Sequence, residues 1–432
     1  MEYQEALAKL HDLTRMGISP GLERIEELTR RLDSPQKQLS CCVHISGTNG
    51  KGSVAAMLDA MLRQQGRKTA LFTSPHLRCH TERYRINGKP ISEKHFAELF
   101  SRVYQQIEAM TAEGLASPTE FEAVTALALL WFAEEKVDCA VIEVGLGGLT
   151  DSTNVVEADV AIITNVGMDH MDFLGDNIAE IARYKAGIIK ERSLVVTAAA
   201  GEALQVVEDK AASLARPLYR LGTEFNFSRP MLNQQGTALD ICTAKACYQH
   251  LQLPLLGRHQ LSNAAVAVQA AELLGLSEAS IRTGLATVQW PARLEFFAQR
   301  TPQVLLDGAH NYQGMAALST ALADLWPNRR IVCLLGMLSD KERQKSLSLL
   351  LPHLSRVVIT RPPYLSRSAD WYLLADMCRE AGKKAIAIED NRAAFAHALQ
   401  IAQPDDLLLV CGSLYMVAEV RKYLEEEKND VC

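Results

Sequence analysis

The sequence predicts an α/β protein, with a doubly wound, mostly parallel sheet followed by a second, Rossmann-like α/β unit. Short apolar, β-branched runs alternate with segments of helical periodicity along most of the chain. Glycine-rich turns follow several of these runs, and 432 residues are more than one hydrophobic core usually holds. We therefore expect an N-terminal P-loop-type domain over residues 1–296, with a small antiparallel addition, and a C-terminal domain over residues 297–432.

Composition narrows the class of protein. Apolar residues make up 48% and charged residues 22% of the chain, as is usual for a globular protein. A formal net charge of −6 argues against a nucleic-acid surface, and no apolar run reaches the length of a membrane span. Ten cysteines include no Cys-x-x-Cys pair, so we interpret the adjacent Cys41 and Cys42 as buried thiols. We expect a cytoplasmic protein without nucleic-acid or membrane partners.

The first strand leads into a glycine-rich turn, Gly47-Thr-Asn-Gly-Lys-Gly-Ser53, and then into a helix. Backbone amides of such a turn, the helix N-terminus and Lys51 together favour a bound phosphate. The pattern departs from a strict Walker A, because Ile45 replaces its first glycine and Gly52 replaces the Ser or Thr after the lysine. A ligand-free tight turn is the alternative. We favour a nucleotide phosphate loop.

Periodicity assigns the remaining elements in order. Met16 to Pro20 form a turn signal between the first two helices. The predicted helices of the N-terminal half span residues 2–13, 21–32, 92–113, 119–135, 178–190 and 260–274, and its strands span residues 69–73, 138–145, 159–167 and 194–197. Residues 217–256 are more β-like and predict the antiparallel addition. Beyond Trp290-Pro291, five strand signals are expected at residues 304–307, 331–335, 357–360, 385–388 and 407–410.

Three polar residues follow strands of the first sheet. Ser74 lies after the second strand, Glu143 ends a later one, and His170 follows the next. Ligands bind where the carboxyl ends of parallel strands meet, and hydroxyl and carboxylate oxygens suit Mg²⁺, with imidazole tolerable at a second site. For Glu143 or His170 alone, a capped turn or an ordinary loop histidine is the competing interpretation. Together they predict a magnesium site.

Lys185 falls on the same helical face as Ile181, Ile188 and Ile189. A lysine at such a position usually extends its amine to solvent. If the amine is instead desolvated, its pKa falls, and the neutral amine can be carbamylated to an anionic metal ligand. Spacing favours the first alternative.

Three residues further along the chain are candidates for nucleotide contact. Asp307 ends a strand and begins Asp-Gly-Ala-His-Asn311, and Arg293 lies in the segment between the domains. Asn263 is a possible adenine partner, although helix capping by Ser262 or Asn263 is equally consistent with its position.

In these residues the chain resembles the folylpolyglutamate synthase/dihydrofolate synthase family, whose members are relatives of the Mur ligases. The motifs that carry the resemblance come in the family's order and span nearly the whole chain. They are Gly47 to Ser53, Thr73 to Leu77, Arg85 to Gly88, Thr119 to Glu122, Glu143 to Gly148 with Asp151 and Asn154, Thr164 to His170, Lys185 to Lys190, Arg293 to Glu295, Leu306 to Asn311 and Gly412 to Tyr415.

The resemblance implies an ATP-dependent ligase that joins L-glutamate to tetrahydrofolate and to dihydropteroate through an acyl phosphate. Its implied cofactors are ATP and Mg²⁺ at two sites, with a monovalent cation such as K⁺ as a further expectation, and we expect a monomer. The implied phosphate-binding residues are Asn49, Gly50, Lys51, Gly52 and Ser53, and the other nucleotide contacts are Asn263, Arg293 and Asp307.

The remaining roles also come from the resemblance. Ser74 and Glu143 would hold one Mg²⁺, and His170 with carbamylated Lys185 would serve the second. Lys51, Lys185, His170 and His310 would be catalytic, with His310 near the γ-phosphate or glutamate. The implied folate-binding residues are Gly21, Leu22, Glu23, Arg24, Thr119, Glu120, Phe121, Glu122, Thr150 and Asp151.

The chain departs from the family pattern in places. Leu149-Thr150 precede Asp151 where the family has Arg-Leu, which removes a cation near the expected folate pocket. Tyr312 and Ala292 replace a common Pro and Gly, and we interpret both as tolerated. Two alternatives remain: a Mur-type ligase acting on a nucleotide-linked peptide, which would use the same phosphate loop, and a P-loop module without ligase chemistry.

Overall fold

The computed structural model describes residues 1–14, 19–339, 341–364 and 367–429. The predicted turn at residues 16–20 lies largely outside this part of the chain. Contacts divide the chain into two compact units: unit 1 comprises residues 1–228, 239–251 and 262–288, and unit 2 comprises residues 229–238, 252–261 and 289–432. This division differs from the single boundary expected after residue 296, because residues 229–238, 252–261 and 289–296 also join unit 2.

The predicted helices of unit 1 lie close to their expected positions, and the structure adds three that were not predicted. The helices of this unit are α1 (Tyr3–Leu13), α2 (Glu23–Arg31), α3 (Lys51–Gln64), α4 (Glu93–Ala112), α5 (Glu120–Glu134), α6 (Met171–Leu174), α7 (Ile178–Ala186), α8 (Glu202–Ser213), α9 (His259–Leu273, whose first residues belong to unit 2) and α10 (Glu278–Thr287). The three additions are α6, α8 and α10. Helix α7 ends four residues before the predicted end. In its last turn the carbonyl of Tyr184 accepts a hydrogen bond from the amide of Leu149, which lies outside the helix.

Unit 1 is built on an eight-stranded sheet with the order β4-β3-β2-β5-β1-β6-β7-β8. Its strands are β1 (Cys42–Ser46), β2 (Thr69–Phe72), β3 (Tyr84–Ile86), β4 (Lys89–Pro90), β5 (Cys139–Glu143), β6 (Val160–Ile163), β7 (Leu194–Thr197) and β8 (Leu218–Arg220). Strands β2, β5, β1, β6, β7 and β8 are parallel, while β3 and β4 add an antiparallel edge. Strand β1 therefore lies between β5 and β6, and the carboxyl ends of all three meet at one edge.

The antiparallel addition is smaller than expected. Strands β9 (Asn226–Asn233), β10 (Gly236–Cys242) and β11 (Cys247–Leu253) form a three-stranded sheet joined by short turns. The expectation that this addition begins near residue 217 is wrong, because β8 pairs in parallel with β7 of the large sheet. A disulfide joins Cys242 to Cys247. Of the predicted thiols, Cys42 is buried, whereas Cys41 is partly exposed.

Unit 2 contains a six-stranded sheet with the order β12-β13-β17-β14-β15-β16, parallel except for β12. Its strands are β12 (Glu295–Phe297), β13 (Gln303–Leu306), β14 (Ile331–Leu335), β15 (Leu354–Ile359), β16 (Lys384–Ala387) and β17 (Leu407–Cys411). Its helices are α11 (Tyr312–Leu325), α12 (Arg343–Leu350), α13 (Leu373–Glu380), α14 (Asn391–Ile401) and α15 (Leu414–Asn429). The predicted α/β class is confirmed for both units.

Hydrophobic cores cover the sheets. One core of unit 1 packs α1, α2, α4 and α5 against β2 and β5, and another packs α7 and α8 against β6 and β7 farther along the same face of the large sheet. A separate core surrounds β14 and β17 in unit 2. No helix in the described residues is long and apolar enough to cross a membrane.

Candidate ligase active site

The turn after β1 has the backbone that a phosphate loop needs. Helix α3 begins at Lys51, directly after Gly50, whose φ is +85°. A Cβ at Gly50 would overlap Oδ1 of Asn263 and lie 3.1 Å from its Cγ. Only glycine combines this left-handed backbone with so close a neighbour. The start of α3 therefore places the amides of its first turn and the positive end of its dipole beside a glycine-rich turn.

The residues after β6 fix the shape of this turn. The amides of Thr48 and Asn49 donate to the backbone and side-chain oxygens of Asn165 over 3.0 and 2.9 Å. The hydroxyl of Thr164 donates to the carbonyl of Asn49 over 2.7 Å. Because β6 lies beside β1 in the sheet, the phosphate loop is held by a neighbouring strand end.

Lys51 is placed to serve this loop. Its Nζ donates to the carbonyls of Gly47 and Thr48 over 3.0 and 3.4 Å and is only partly exposed. Asn49, Gly50 and Gly52 are also partly exposed, whereas Ser53 is buried at the start of α3. The five predicted phosphate-binding residues thus lie together, and the amine folds back on the loop where anionic oxygens would compete for it.

Two predicted metal ligands lie together at the carboxyl edge of the sheet. The amide of Ser74 donates to Oε2 of Glu143 over 3.1 Å, and Glu143 is 5% exposed. A buried carboxylate carries a large desolvation cost unless a donor or a cation compensates it. A carboxylate beside a hydroxyl is the oxygen donor set that Mg²⁺ takes in proteins, so these residues fit the ion that the sequence predicts.

Lys185 does not extend to solvent, so the alternative favoured by spacing is wrong. The residue is 4% exposed. Burial lowers the pKa of Lys185 to about 7, with Lys51 lowering it further and Asp169 opposing the shift. A substantial fraction of the amine is therefore neutral near pH 7, which is the state that reacts with carbon dioxide.

His170 differs from the other candidate ligands. It precedes α6 with a φ of +53°, and its side chain is 44% exposed. Its Nε2 lies 3.9 Å from Oδ1 of Asp169. In the described part of the chain, no three His, Cys, Asp or Glu side chains converge as a metal cluster. A cation bound to His170 would therefore depend on donors of other types.

The predicted folate-binding segments contain an ion pair between the partly exposed Arg24 and the buried Glu122. Nε of Arg24 donates to Oε2 of Glu122 over 3.1 Å, and Glu122 also accepts from the Thr119 amide over 2.7 Å. Thr119 caps α5 through the Glu122 amide, so the two residues form a capping box. The pair joins α2 to the start of α5 and fixes both segments.

Asp151 is buried at the centre of a hydrogen-bonded relay. It accepts from the Leu146 amide over 2.7 Å, from the Thr153 amide over 3.0 Å and from the Thr153 hydroxyl. That hydroxyl lies 2.8 Å from Nε2 of His44 in β1. Because the hydroxyl hydrogen is directed to Asp151, His44 must donate from Nε2. Burial raises the pKa of Asp151, and it lowers the pKa of His44 to about 3.

The other predicted substrate-binding residues differ in their contacts and in their exposure. Glu120 lies 3.6 Å from Nε2 of His80, and the ring of Phe121 lies against the glycine turn that follows Glu143. Gly21, Leu22 and Thr150 are partly exposed, and Glu23 is exposed.

Unit 2 carries the remaining predicted residues around Asp307. This buried carboxylate accepts from the amides of Leu294 and Ala309, each over 2.9 Å. Burial raises the pKa of Asp307, while Arg293 opposes the shift. Nδ1 of His310 lies 2.8 Å from the carbonyl of Gly308. Through these two hydrogen bonds, Asp307 fixes the segment that carries Arg293 and the turn that carries His310.

Sequence reasoning missed the residues that position others. Thr164 and Asn165 anchor the phosphate loop, and His44 with Thr153 holds Asp151. One signal was present, because a histidine inside an otherwise apolar strand must have a hydrogen-bond partner if it is buried.

Comparison with known families extends these observations. The sequence model of the Mur ligase middle domain family matches residues 45–271, and that of the Mur ligase glutamate ligase domain family matches residues 292–414. The first match spans the phosphate loop and both strand ends that carry Ser74 and Glu143. The second spans the turn around Asp307.

Full-length proteins are also similar. The chain is 36% identical over 433 residues to a dihydrofolate synthase/folylpolyglutamate synthase of Bacillus subtilis, covering 98% of this chain and 99% of the relative. The structure of Escherichia coli FolC in complex with DHPP and ADP superposes with a TM-score of 0.90 at 30% identity, covering 99% of both chains. A Mycobacterium tuberculosis folylpolyglutamate synthase complexed with ADP and AMPPCP gives a TM-score of 0.90 at 32% identity, covering 98% of this chain and 99% of that one.

Proposed function

Because the chain belongs to the folylpolyglutamate synthase/dihydrofolate synthase family of the Mur ligase superfamily, we propose that it is an ATP-dependent ligase that forms an amide between L-glutamate and a folate. Relatives named for both activities support a bifunctional enzyme that also accepts dihydropteroate. The observation that carries the proposal is the glycine-rich loop at the start of α3, which contains Lys51, together with the buried carboxylate of Glu143, which accepts from the partly exposed Ser74 at the same sheet edge.

The reaction needs an activated acid, since a free carboxylate is a poor acylating agent. A substrate carboxylate oxygen attacks the γ-phosphorus of ATP, ADP leaves, and an acyl phosphate forms. The glutamate amine then attacks the acyl carbon, and inorganic phosphate leaves. Lys51 and the amides at the start of α3 offset negative charge on the transferring phosphoryl group.

We propose that Ser74 and Glu143 hold one Mg²⁺ and that His170 and a carbamylated Lys185 serve a second. Bound Mg²⁺ would neutralise charge on the phosphate oxygens. The burial of Lys185 and the lowering of its pKa to about 7 support carbamate formation, because the neutral amine is the reactive form. The carbamate would convert a buried cation into an anion close to another cation, Lys51.

We assign the pterin side of the substrate to the segment around Arg24, to the start of α5 and to Asp151. The Arg24–Glu122 pair and the Asp151 relay support this assignment, because buried polar groups in fixed positions discriminate hydrogen-bonding substrates well. Leu149 and Thr150 precede Asp151 where the family has a cation. Without that cation, binding of the folate would depend more on Arg24, Glu122 and Asp151. We assign Asn263, Arg293 and Asp307 to the nucleotide and His310 to the γ-phosphate or glutamate.

The K⁺ site, the monomeric state and the cytoplasmic location stay predictions.

Release of inorganic phosphate tests the function. The full chain is supplied with MgATP, L-glutamate and, in turn, dihydropteroate or tetrahydrofolate, and the product is identified by mass spectrometry. We expect phosphate release only when both glutamate and a pterin are present. ATP consumption that is independent of glutamate would contradict ligase chemistry.

The carbamate is tested separately with Lys185→Ala. We expect this variant to lose turnover and to lose a carbamate carbon signal in NMR spectra recorded with ¹³C-bicarbonate, while its thermal unfolding stays cooperative. Lys210→Ala on α8 is the matched control and should keep both. Near-normal turnover of Lys185→Ala would remove the carbamate from the mechanism and leave the ligase assignment intact.

A further inference from the structure

Two thiols lie in contact at the amino edge of the large sheet, opposite the edge that carries the site. Cys41 directly precedes β1, and Cys139 begins β5. The parallel ladder pairs Cys42 with Ala140, and the Ala140 amide donates to the Cys41 carbonyl over 2.9 Å. The two Sγ atoms lie 2.8 Å apart. Neighbouring strands are spaced about 4.8 Å apart, which is within the Cα separations that a disulfide spans.

The two thiols are not equivalent. Cys41 is partly exposed, whereas Cys139 is buried. The hydrogen bond between the two thiols holds the pKa of Cys41 below its ordinary value, with Arg67 and Arg192 helping and burial and Asp159 opposing. The same contact and burial raise the pKa of Cys139. An accessible thiolate beside a buried thiol matches the roles of an attacking and a resolving cysteine.

We propose that Cys41 and Cys139 form a reversible disulfide when the protein meets hydrogen peroxide. The Cys41 thiolate attacks one peroxide oxygen, an S–O bond forms, the O–O bond breaks, and the released hydroxide takes a proton to become water. The Cys139 sulfur then attacks Cys41 Sγ, the S–S bond forms, the S–O bond breaks, and a second water leaves with the Cys139 proton. Two thiols and one peroxide thus give one disulfide and two waters, and a dithiol reductant reverses the change.

The location determines the consequence for activity. The opposite ends of β1 and β5 carry the phosphate loop and Glu143: Gly47 lies six residues beyond Cys41 and Glu143 four residues beyond Cys139, roughly 20 and 13 Å away at strand spacing. The bond would join residues that are already paired in the ladder, so the strand register stays unchanged. We expect turnover to persist in the oxidised protein. Because the bond closes a loop between residues 98 positions apart, the urea midpoint should rise.

The experiment starts from the full chain after complete reduction and removal of the reductant. Aliquots treated with increasing peroxide are denatured, alkylated and digested, and the peptides are mapped by mass. We expect a cross-linked peptide pair containing Cys41 and Cys139, with a mass 2 Da below the sum of the two reduced peptides, and its loss after treatment with a dithiol. In Cys139→Ser, which lacks the resolving thiol, Cys41 should accumulate as sulfenic acid that a dimedone-type reagent traps.

Cys333 and Cys411 provide a matched internal control. Their Sγ atoms lie 3.8 Å apart, yet both thiols are fully buried in the core of unit 2, so peroxide should leave them reduced in the folded protein. Three results would overturn the proposal: Cys41 stays a thiol at concentrations that oxidise the exposed Cys79, Cys41 is oxidised without a cross-link to Cys139, or the cross-link appears only after unfolding.

Discussion

Replacing Gly50 by alanine isolates the contribution of the phosphate loop, because the chain contains a matched control. Gly50 precedes α3 at a φ of +85°, where an L-residue costs roughly 1–2 kcal/mol. The new Cβ would also overlap Oδ1 of Asn263. Gly66, just after the other end of α3, has a φ of +81°, and in the described part of the chain no atom lies within 4 Å of a Cβ there. Gly66→Ala therefore carries the backbone cost alone.

The two variants should separate stability from nucleotide binding. Both should lower the free energy of unfolding by roughly 1–2 kcal/mol. Only Gly50→Ala must also displace Asn263 or the loop, and loss of one or two hydrogen bonds to ATP costs about 1–3 kcal/mol. At 1.4 kcal/mol per tenfold, the Kd for ATP should rise by about 5- to 140-fold.

The assay combines urea unfolding with calorimetric titration of a non-hydrolysable ATP analogue. Asn263→Ala alone measures the Asn263 contact, and the double variant should recover part of the loss in Gly50→Ala because the overlap is relieved. Equal ATP affinity in Gly50→Ala and Gly66→Ala would refute the assignment of this turn to the phosphates.

Three further predictions concern buried polar groups. Thr153→Val removes the hydroxyl between His44 and Asp151 and should raise the folate KM about tenfold or more with an unchanged ATP KM, while Thr153→Ser stays near normal. Arg24→Ala leaves the buried carboxylate of Glu122 without its cation and should destabilise the fold by roughly 3 kcal/mol, whereas the double variant with Glu122→Gln should recover part of that loss. His44 has a pKa of about 3 in the fold and about 6.5 when unfolded, so its contribution is present above pH 6.5 and is lost as the pH falls toward 3. Between pH 7 and pH 4.5, the free energy of unfolding of His44→Gln should therefore fall by about 3 kcal/mol less than that of the parent chain.

Steady-state kinetics and urea titrations check these predictions. A folate KM that responds equally to Thr153→Val and Thr153→Ser would show that volume, not the hydroxyl, matters there. Arg24→Ala as stable as the parent would mean that Glu122 is compensated by the Thr119 amide alone. Parallel acid stability curves for His44→Gln and the parent would show that the histidine is protonated in the fold.

Local chemistry in the sequence was enough to place most elements. Strand signals fell within a few residues of the strands in both sheets, and the Gly47–Ser53 turn led into α3 as expected. What local patterns could not predict depends on distant partners. Strands β3 and β4 lie in and just beyond the basic stretch 78–85, which showed no strand alternation, and they form because β2 offers an antiparallel partner. The segments 229–238 and 252–261 join unit 2 through contacts that no local pattern encodes.

For the site residues too, local patterns predicted some features, while others depend on distant partners. Glycines, a lysine and carboxylates at strand ends could be recognised from residue type and position. The burial of Lys185 could not, because helical spacing alone favours an amine that reaches solvent. The relay through Thr153 was also hidden, since the hydroxyl joins two residues whose separation of more than 100 positions is closed only by the pairing of β1 within the sheet.

The anchoring of the phosphate loop by residues after β6 has a consequence for biosynthesis. Thr164 lies 115 positions beyond Asn49, so a nascent chain that has emerged only as far as α5 lacks the groups that shape its ATP-binding turn. Such long sequence separation makes this closure a late event in folding. Nucleotide therefore cannot assist the early stages, and truncated translation products ending before β6 should be inert toward ATP instead of sequestering it.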